Sequence, residues 1–188
     1  VSHDGRDYRI QLKPLSVDEL TEDSQILEIQ SKQFSMLAVY LMDITELNSY
    51  IQKNQDEKLV TGLVYIDNYE EAMESVDEVR RSLLTALIER RINKYFLSND
   101  AIVKKLEKDK YFIIIQQKYL TSMQDSRFSL LEDIKTVNVG NEMNITLSIG
   151  IGTNGKNYQE NYSFAHAAID LDVGRGGDQA VVKDADSI

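Results

Sequence analysis

The N-terminal part of the chain alternates between apolar and polar positions. Tyr8–Leu12 and Ile26–Gln30 alternate residue by residue, which is typical of strands that expose one face to water. Phe34–Met42 is longer and more apolar, and it is rich in residues that favour strands. Ser16–Asp23 separates the first two segments with a polar break. The pattern therefore predicts three strands in this part of the chain.

The hydrophobic period changes after the third predicted strand. Asp43 or Thr45 is suited to begin a helix, because its side-chain oxygen accepts a hydrogen bond from a free backbone N–H group. We predict a helix over residues 46–58 that connects two units. The apolar positions at helical spacing, on an otherwise polar segment, are Leu47, Tyr50, Ile51 and Leu59.

From Leu59 onward, strand and helix periods follow one another. They predict an α+β fold, an α/β sandwich in which helices flank a mixed central sheet that includes an antiparallel hairpin. The first helix would have about 27 residues, which is long for such a domain, so two consecutive helices are an alternative. Its predicted apolar stripe comprises Met73, Val76, Val79, Leu83, Leu87, Ile92 and Tyr95. The predicted elements are a strand at Leu63–Ile66, a helix at Glu70–Phe96, hairpin strands at Ala101–Leu106 and Tyr111–Gln116, a helix at Leu120–Val139, a strand at Ile145–Ile151, a helix at Tyr162–Val173 and a strand at Ala180–Val182.

The charge balance argues against several function classes. The 188 residues include 31 acidic and 21 basic side chains, a formal net charge of -10, whereas binding to nucleic acids or anionic membranes requires a basic face. The short basic runs Arg80-Arg81 and Arg90-Arg91 leave a local patch open. The chain has no cysteine, so it forms no disulfide. No apolar run approaches the ~18 residues of a membrane span, and we therefore predict neither nucleic-acid binding nor a membrane-spanning segment here.

Four motifs in the second part of the chain occur in the order found in a known domain family. Val64–Tyr69 stands where active diguanylate cyclases have D-x-D-x-F, and Glu107–Tyr111 stands at the G-G-D-E-F signature. Leu147–Ile151 matches the S-I-G strand, and Ala167–Gln179 matches the final helix with its G-R-G-G-D-Q turn. From Leu59 onward the sequence resembles a GGDEF domain, and in detail the degenerate GGDEF domain of GdpP-type cyclic-di-AMP phosphodiesterases.

A second resemblance lies upstream. Met36–Thr45 is similar to the last strand of a PAS domain, and its D-I-T element at residues 43–45 is of the type that joins PAS domains to output domains. A complete PAS domain needs about 100 residues, so its C-terminal part or an unusually short version fits here. The resemblance implies a PAS-like part at 1–45, a linker helix at 46–58 and a degenerate GGDEF domain at 59–188.

The GdpP-type family implies a longer, membrane-anchored protein. Its catalytic DHH–DHHA1 domains use Mn²⁺ to hydrolyse cyclic di-AMP to pApA. This chain has no D-H-H triplet, and its histidines are His3 and His166. Because it starts at Val1 without an initiating Met, we interpret it as a cytoplasmic piece of such a protein. The implied partners are its own DHH–DHHA1 domains and, through the PAS part and the linker helix, a second copy of the chain. A complete PAS domain would add haem as a cofactor.

Substitutions at the signature change its chemistry. Glu107 and Lys108 replace the two glycines that, in a cyclase, leave room for the nucleotide and permit positive φ. Tyr65 replaces the first aspartate of D-x-D, and a phenol is a poor ligand for magnesium, which prefers carboxylate and water oxygens. Lys110 reverses the charge of the fourth signature position. Diguanylate cyclase activity is therefore the least favoured function.

Two carboxylates of the signature remain, and they leave a weaker site open. Asp109 keeps the third signature position, and Asp67 keeps the second aspartate of D-x-D. Lys108 and Asp109 would form a low-affinity ATP site, with Mg²⁺ on Asp109 and Asp67. The neighbouring turn residues are Glu107, Lys110 and Tyr111. The simpler interpretation is a solvated hairpin turn without cofactor or catalytic residue.

Gly174–Gly177 has the composition of a phosphate-binding nest. It follows a helix and precedes a strand, whereas phosphate-binding loops lead into helix N-termini. We therefore predict a helix C-cap and a turn.

The primary hypothesis is a regulatory region that transmits a signal to separate phosphodiesterase domains. The alternatives from other classes are a weak ATPase at the modified turn and a nucleotide or haem sensor without turnover.

Overall fold

The chain divides into two units, Val1–Asn54 and Gln55–Ile188. The structure is a computed structural model that describes residues 1–15 and 36–185. No helix in these ranges combines the length and the hydropathy that crossing a membrane requires.

The first unit contains an antiparallel sheet. Asp4 and Gly5 have φ of 49° and 73°, as in the tight turns that fit the twist of a hairpin, and they connect the first two strands. The strand predicted at Tyr8–Leu12 is confirmed, and the one predicted at Phe34–Met42 is confirmed from Met36 onward. Phe34, Ser35, Ser16–Asp23 and the strand predicted at Ile26–Gln30 lie outside the described residues. The strands are β1 (Ser2–His3), β2 (Arg6–Leu15) and β3 (Met36–Asp43), paired in that order.

Helix α1 (Thr45–Asp56) follows the sheet, so the helix predicted at 46–58 is observed, with its start one residue earlier and its end two residues earlier. The Asp43 carboxylate accepts hydrogen bonds from the backbone N–H of Thr45 at 3.0 Å and from its hydroxyl at 2.6 Å. These bonds lower the pKa of Asp43. The Thr45 hydroxyl in turn accepts the Asp7 N–H at 2.8 Å. The D-I-T element thus fixes the start of α1 to strand β2.

A mixed five-stranded sheet forms the centre of the second unit. Its strand order is β5-β6-β4-β7-β8, with β7 and β8 parallel and the other neighbours antiparallel. The predicted hairpin is β5 and β6, so one of its strands is interior and the other is the sheet edge. The strands are β4 (Leu59–Ile66), β5 (Ile102–Lys105), β6 (Lys110–Gln116), β7 (Leu147–Gly152) and β8 (Ala180–Lys183).

Side chains of this sheet alternate between two helical layers. Val64, Ile113 and Ile149 belong to the main core, with the helices between β4 and β7. Leu63 belongs to a smaller cluster with the last helix, on the opposite face. The predicted sandwich is therefore observed. The helices are α2 (Tyr69–Glu74), α3 (Glu78–Leu97), α4 (Gln117–Asp125), α5 (Leu130–Lys135) and α6 (Tyr158–Gly174).

Two helices replace the long helix predicted at Glu70–Phe96, as the alternative allowed. The Asp77 side chain accepts the Arg80 N–H and starts α3 with a new helical phase. The predicted stripe was wrong there, because Val79 and Leu83 are 82% and 51% exposed. The buried positions of α3 are Leu84, Ile88, Ile92 and Phe96.

The single helix predicted at Leu120–Val139 was also wrong, because the chain forms two shorter helices there, α4 and α5. Arg127 and Phe128 have φ of 51° and 50° and turn the chain between them. Such a conformation is strained for residues with a side chain. Phe128 is only 6% exposed, so burial of its ring offsets the strain.

Helix α6 begins four residues before the predicted start. The Asn157 side chain accepts the Glu160 N–H at 2.9 Å and caps the helix. The helix lies directly on β7, where a Cβ added to Gly152 would stand 1.8 Å from the Asn161 carbonyl oxygen. The S-I-G strand is therefore a packing surface for α6.

Candidate functional site

The modified signature forms the turn between β5 and β6, here called the signature turn (Glu107–Lys110). The Lys110 N–H donates to the Glu107 carbonyl at 3.4 Å, and the Leu106 N–H donates to the Lys110 carbonyl at 2.9 Å. No residue of this turn has positive φ. Residues other than glycine can therefore adopt this backbone conformation, which explains how Glu107 and Lys108 occupy positions where the signature has glycine.

Glu107 and Lys110 of the signature turn form an ion pair with each other. The Lys110 ammonium lies 3.1 Å from the Glu107 carboxylate and 5.4 Å from the centre of the Tyr65 ring. The hydrogen bond to Glu107 raises the pKa of Lys110. Burial raises the pKa of Tyr65, so its phenol remains neutral and is no substitute for a carboxylate ligand.

Lys108 joins the signature turn to helix α2. Its ammonium forms an ion pair with Glu70 and lies 5.8 Å from the centre of the Tyr69 ring. Both partners of the ion pair are about 59% exposed, so the pair adds little stability but gives the Lys108 side chain a preferred direction.

Asp109 contacts the rest of the sheet through a backbone hydrogen bond. Its carbonyl accepts the Ile66 N–H at 2.9 Å, which places the signature turn beside the end of β4. Its partly exposed carboxylate makes no hydrogen bond or ion pair with another described residue. Asp109 is therefore the predicted site residue whose side chain remains open to a ligand.

Asp67 follows β4 and has a different environment. Its carboxylate accepts the Ser148 hydroxyl and, at 3.0 Å, the Asp178 N–H. A Cβ added to Gly177 would lie 2.6 Å from the same carboxylate. The predicted metal ligand Asp67 thus connects β4, β7 and the turn before β8.

The segment Gly174–Asp178 is the predicted C-cap and turn, here called the glycine turn. Helix α6 ends at Gly174, and Gly176 and Gly177 have φ of 108° and 75°. The Gly177 N–H donates to the Asp172 carbonyl at 3.1 Å, which closes the end of the helix.

Asp172 is fully buried beneath the glycine turn. Its Oδ2 accepts the Ile149 N–H at 3.1 Å, whereas Oδ1 has no hydrogen-bond partner in the described part of the chain. Burial raises the pKa of Asp172 to about 6, and the nearby charge of Asp67 adds to the rise. Ser148 and Gln179 lower the pKa, although neither makes a hydrogen bond with Oδ1.

Tyr111 belongs to the core, because its side chain is only 2% exposed and burial strongly raises its pKa. The structure therefore brings Lys108, Asp109 and Lys110 to the surface of one turn and places Tyr111 beneath it. Within residues 1–15 and 36–185, no group of three or more histidine, cysteine, aspartate or glutamate residues is arranged to hold a metal ion. The proposed Asp109 and Asp67 ligands remain a prediction.

The sequence analysis missed the ion-pair partner Glu70 and the buried Asp172. Glu70 lies 38 positions from Lys108, so no local pattern connects them. Asp172 had a signal, because it shares a helix face with the apolar residues Ala165, Ala168 and Ile169.

A protein-family model described as the GGDEF domain of a cyclic-di-AMP phosphodiesterase GdpP-like protein matches residues 64–188. The chain belongs to this family. The GdpP-like resemblance of the sequence is thereby confirmed.

Relatives with curated descriptions agree with the family model. The chain is 28% identical to the cyclic-di-AMP phosphodiesterase GdpP of Geobacillus thermodenitrificans over 167 residues, which cover 86% of this chain and 25% of the relative. It is 30% identical to the cyclic-di-AMP phosphodiesterase PdeA of Listeria monocytogenes over 145 residues, 77% of this chain and 22% of the relative. The chain thus spans about a quarter of the length of these relatives.

Solved structures share the fold. The active GGEEF domain of a diguanylate cyclase from Vibrio cholerae aligns with 72% of this chain and 89% of that domain, at a TM-score of 0.57 and 9% identity. The GGDEF domain of DgcB from Caulobacter crescentus, solved in complex with c-di-GMP, aligns with 73% of this chain and with 83% of its own chain. The TM-score is 0.56 and the identity is 12%. The α+β sandwich of the second unit is therefore the GGDEF fold.

Proposed function

We propose that this chain is a signal-transmitting region of a membrane-anchored cyclic-di-AMP phosphodiesterase and has no diguanylate cyclase activity. The observation that supports this proposal best is the signature turn, whose side chains occupy the glycine positions and pair with neighbouring protein groups. The proposed division is a PAS-like part at 1–45, a linker helix at 46–58 and a degenerate GGDEF domain at 59–188.

The absence of cyclase activity follows from shape and charge together. A cyclase needs space for a nucleotide at the turn and carboxylates for divalent cations. Glu107 brings negative charge toward a triphosphate, Tyr65 replaces one carboxylate, and protein donors occupy Asp67. Incubation of the purified chain with GTP and Mg²⁺ or Mn²⁺ should yield no cyclic di-GMP, and its synthesis would contradict the proposal.

We propose that α1 pairs with its counterpart in a second copy of the chain. Leu47, Tyr50 and Ile51 are 49%, 64% and 51% exposed, and α1 has no buried residue. Apolar side chains at this spacing favour helix pairing in water. Light scattering should show a dimer that Leu47→Glu/Ile51→Glu disrupts and the control Ser49→Glu retains. A monomer at high concentration would contradict this part of the proposal.

Regulation is tested in the longer protein. Cyclic-di-AMP hydrolysis by the DHH–DHHA1 domains should change when residues 1–188 are deleted, and it should change in the same direction in the Leu47→Glu/Ile51→Glu variant. Equal rates with and without the region would contradict a regulatory role. On this proposal, Mn²⁺ belongs to the catalytic domains and haem to a complete PAS domain.

A second candidate function is weak ATP binding or hydrolysis at the signature turn. The open Asp109 carboxylate beside Lys108 favours it, since together they offer a metal ligand and a phosphate-binding cation. Calorimetry with ATP and Mg²⁺ should give heat that Asp109→Ala abolishes and the exposed control Asp125→Ala retains. No heat and no turnover would remove this candidate.

A further inference from the structure

A cavity of about 520 Å³ lies between α3 and α5, on different elements from the signature turn. Its size is within the range of small-molecule sites in proteins. Arg90, Arg91 and Lys94 line it from α3, and Asp133 lines it from α5. Three cations and one carboxylate leave an excess of positive charge in this cavity, although the chain as a whole has a formal charge of -10.

The three cations differ in their ion pairs. Arg91 forms an ion pair with Asp133. Arg90 and Lys94 make no ion pair with any residue in the described part of the chain, and they stand one helical turn apart on α3. Like charges at this spacing repel each other, so an anion between them would remove a repulsion as well as add an attraction.

The cavity also has an apolar wall. Leu87 and the Tyr95 ring, both partly exposed, are among its lining residues. The Tyr95 hydroxyl is buried and does not contribute to this wall.

We propose that this cavity binds a small phosphorylated ligand. Phosphoryl oxygens would lie between Arg90 and Lys94, since a guanidinium group matches phosphate geometry with two parallel hydrogen bonds. An uncharged part of the ligand packs against Leu87 and the Tyr95 ring. The site is independent of the signature turn and of the regulatory role proposed above.

Calorimetry on the full chain tests this site with sodium pyrophosphate and with ADP, both without divalent metal. One saturable site is expected for pyrophosphate. Arg90→Ala/Lys94→Ala should weaken binding about tenfold or more, as expected for the loss of charge-assisted hydrogen bonds. The control Lys104→Ala/Lys156→Ala removes the same charge from exposed positions elsewhere and should leave binding within about twofold.

Asp133→Asn provides a test in the opposite direction. It removes the carboxylate of the cavity and releases Arg91, so pyrophosphate should bind more tightly by several-fold, which a merely structural role of Asp133 would not produce. Tighter binding of ADP than of pyrophosphate would assign the apolar wall to the nucleoside part.

Three results would overturn the proposal. They are no saturable heat with either probe, equal weakening by both double variants, and loss of pyrophosphate binding in Lys108→Ala/Asp109→Ala, which would place the anion at the signature turn. Circular dichroism of each variant separates a loss of binding from a loss of folding. None of these results bears on regulation of the phosphodiesterase domains.

Discussion

The signature turn and the glycine turn both lead into strands of the same sheet, but they differ in glycine content and in backbone conformation. The signature turn has no residue with positive φ and carries Glu107 and Lys108 where the signature has glycine. The glycine turn keeps Gly176 and Gly177 at φ of 108° and 75°, and Gly177 lies against the Asp67 carboxylate. Glycine is thus present where the backbone requires positive φ and absent from the signature turn, where the backbone does not require it.

The two turns therefore differ in how much each contributes to the stability of the fold. Side chains at the signature turn occupy the former glycine positions without straining the backbone, and three of its charges are paired, Lys108 with Glu70 and Lys110 with Glu107. The glycine turn connects α6 to β8 and holds Asp67 through the Asp178 N–H. We therefore expect substitutions at the glycine turn to reduce stability and those at the signature turn to have small effects.

The largest effect is expected for Gly177→Ala. A Cβ there would lie 2.6 Å from the Asp67 Oδ2 atom, and φ of 75° is unfavourable for alanine. The free energy of unfolding should fall by about 3 kcal/mol in urea denaturation. The control Gly174→Ala has no atom within 4 Å of its Cβ and should change stability by less than about 0.5 kcal/mol. Equal effects of the two variants would remove the distinction between the turns.

Asp172 sharpens the comparison through pH. Its pKa rises from 3.8 to about 6 on folding, so the folded state holds the proton more tightly than the unfolded state. The corresponding stability is present below pH 4 and is lost as the pH rises through 6. Between pH 4 and pH 8 this loss amounts to about 2 kcal/mol. Asp172→Asn should flatten this pH dependence in urea denaturation, whereas Asp170→Asn, at an exposed position of α6, should retain it.

Restoring glycine to the signature turn tests the comparison from the other side. Glu107→Gly/Lys108→Gly should lower stability by about 1 kcal/mol, because glycine has more freedom in the unfolded chain. No cyclic di-GMP synthesis should appear in a product assay, since Tyr65 still occupies the position of a metal ligand. Cyclase activity in this variant would show that side-chain bulk alone blocks the reaction.

The smallest effect is expected for Lys108→Ala. Its ion pair with Glu70 is exposed, and such pairs contribute less than about 1 kcal/mol. A double-mutant cycle with Glu70→Ala, measured by urea denaturation, should give a coupling energy below about 0.5 kcal/mol. A larger coupling would mean that the signature turn also supports the fold.

Patterns with short range were predictable from the sequence, and effects that depend on tertiary structure were not. The strand pairs and α1 followed from alternation and from the D-I-T element. The stripe through Val79 and Leu83 was misplaced because the Asp77 cap starts a new helical phase. The sequence around the helix break at Arg127 and Phe128 contains no glycine or proline that would predict it. The burial of the Phe128 side chain, which depends on tertiary structure, accounts for the break.

The candidate site was predictable in composition but not in its connections. The charge reversal at Lys110 and the loss of a ligand at Tyr65 are visible in the sequence alone. The contact between these two residues depends on the register of β4 and β6, in which Tyr65 faces Lys110. Asp67 and Ser148 are 81 positions apart in the sequence, and the pairing of β4 with β7 brings them into hydrogen-bond contact.

The signature turn offers an attachment point for a spectroscopic label. Because its backbone accepts ordinary residues and the chain has no cysteine, Lys108→Cys would give this chain a single thiol at an exposed position of the hairpin. A fluorophore or spin label on this thiol would report changes in the surroundings of the hairpin when a ligand or another protein binds to the chain.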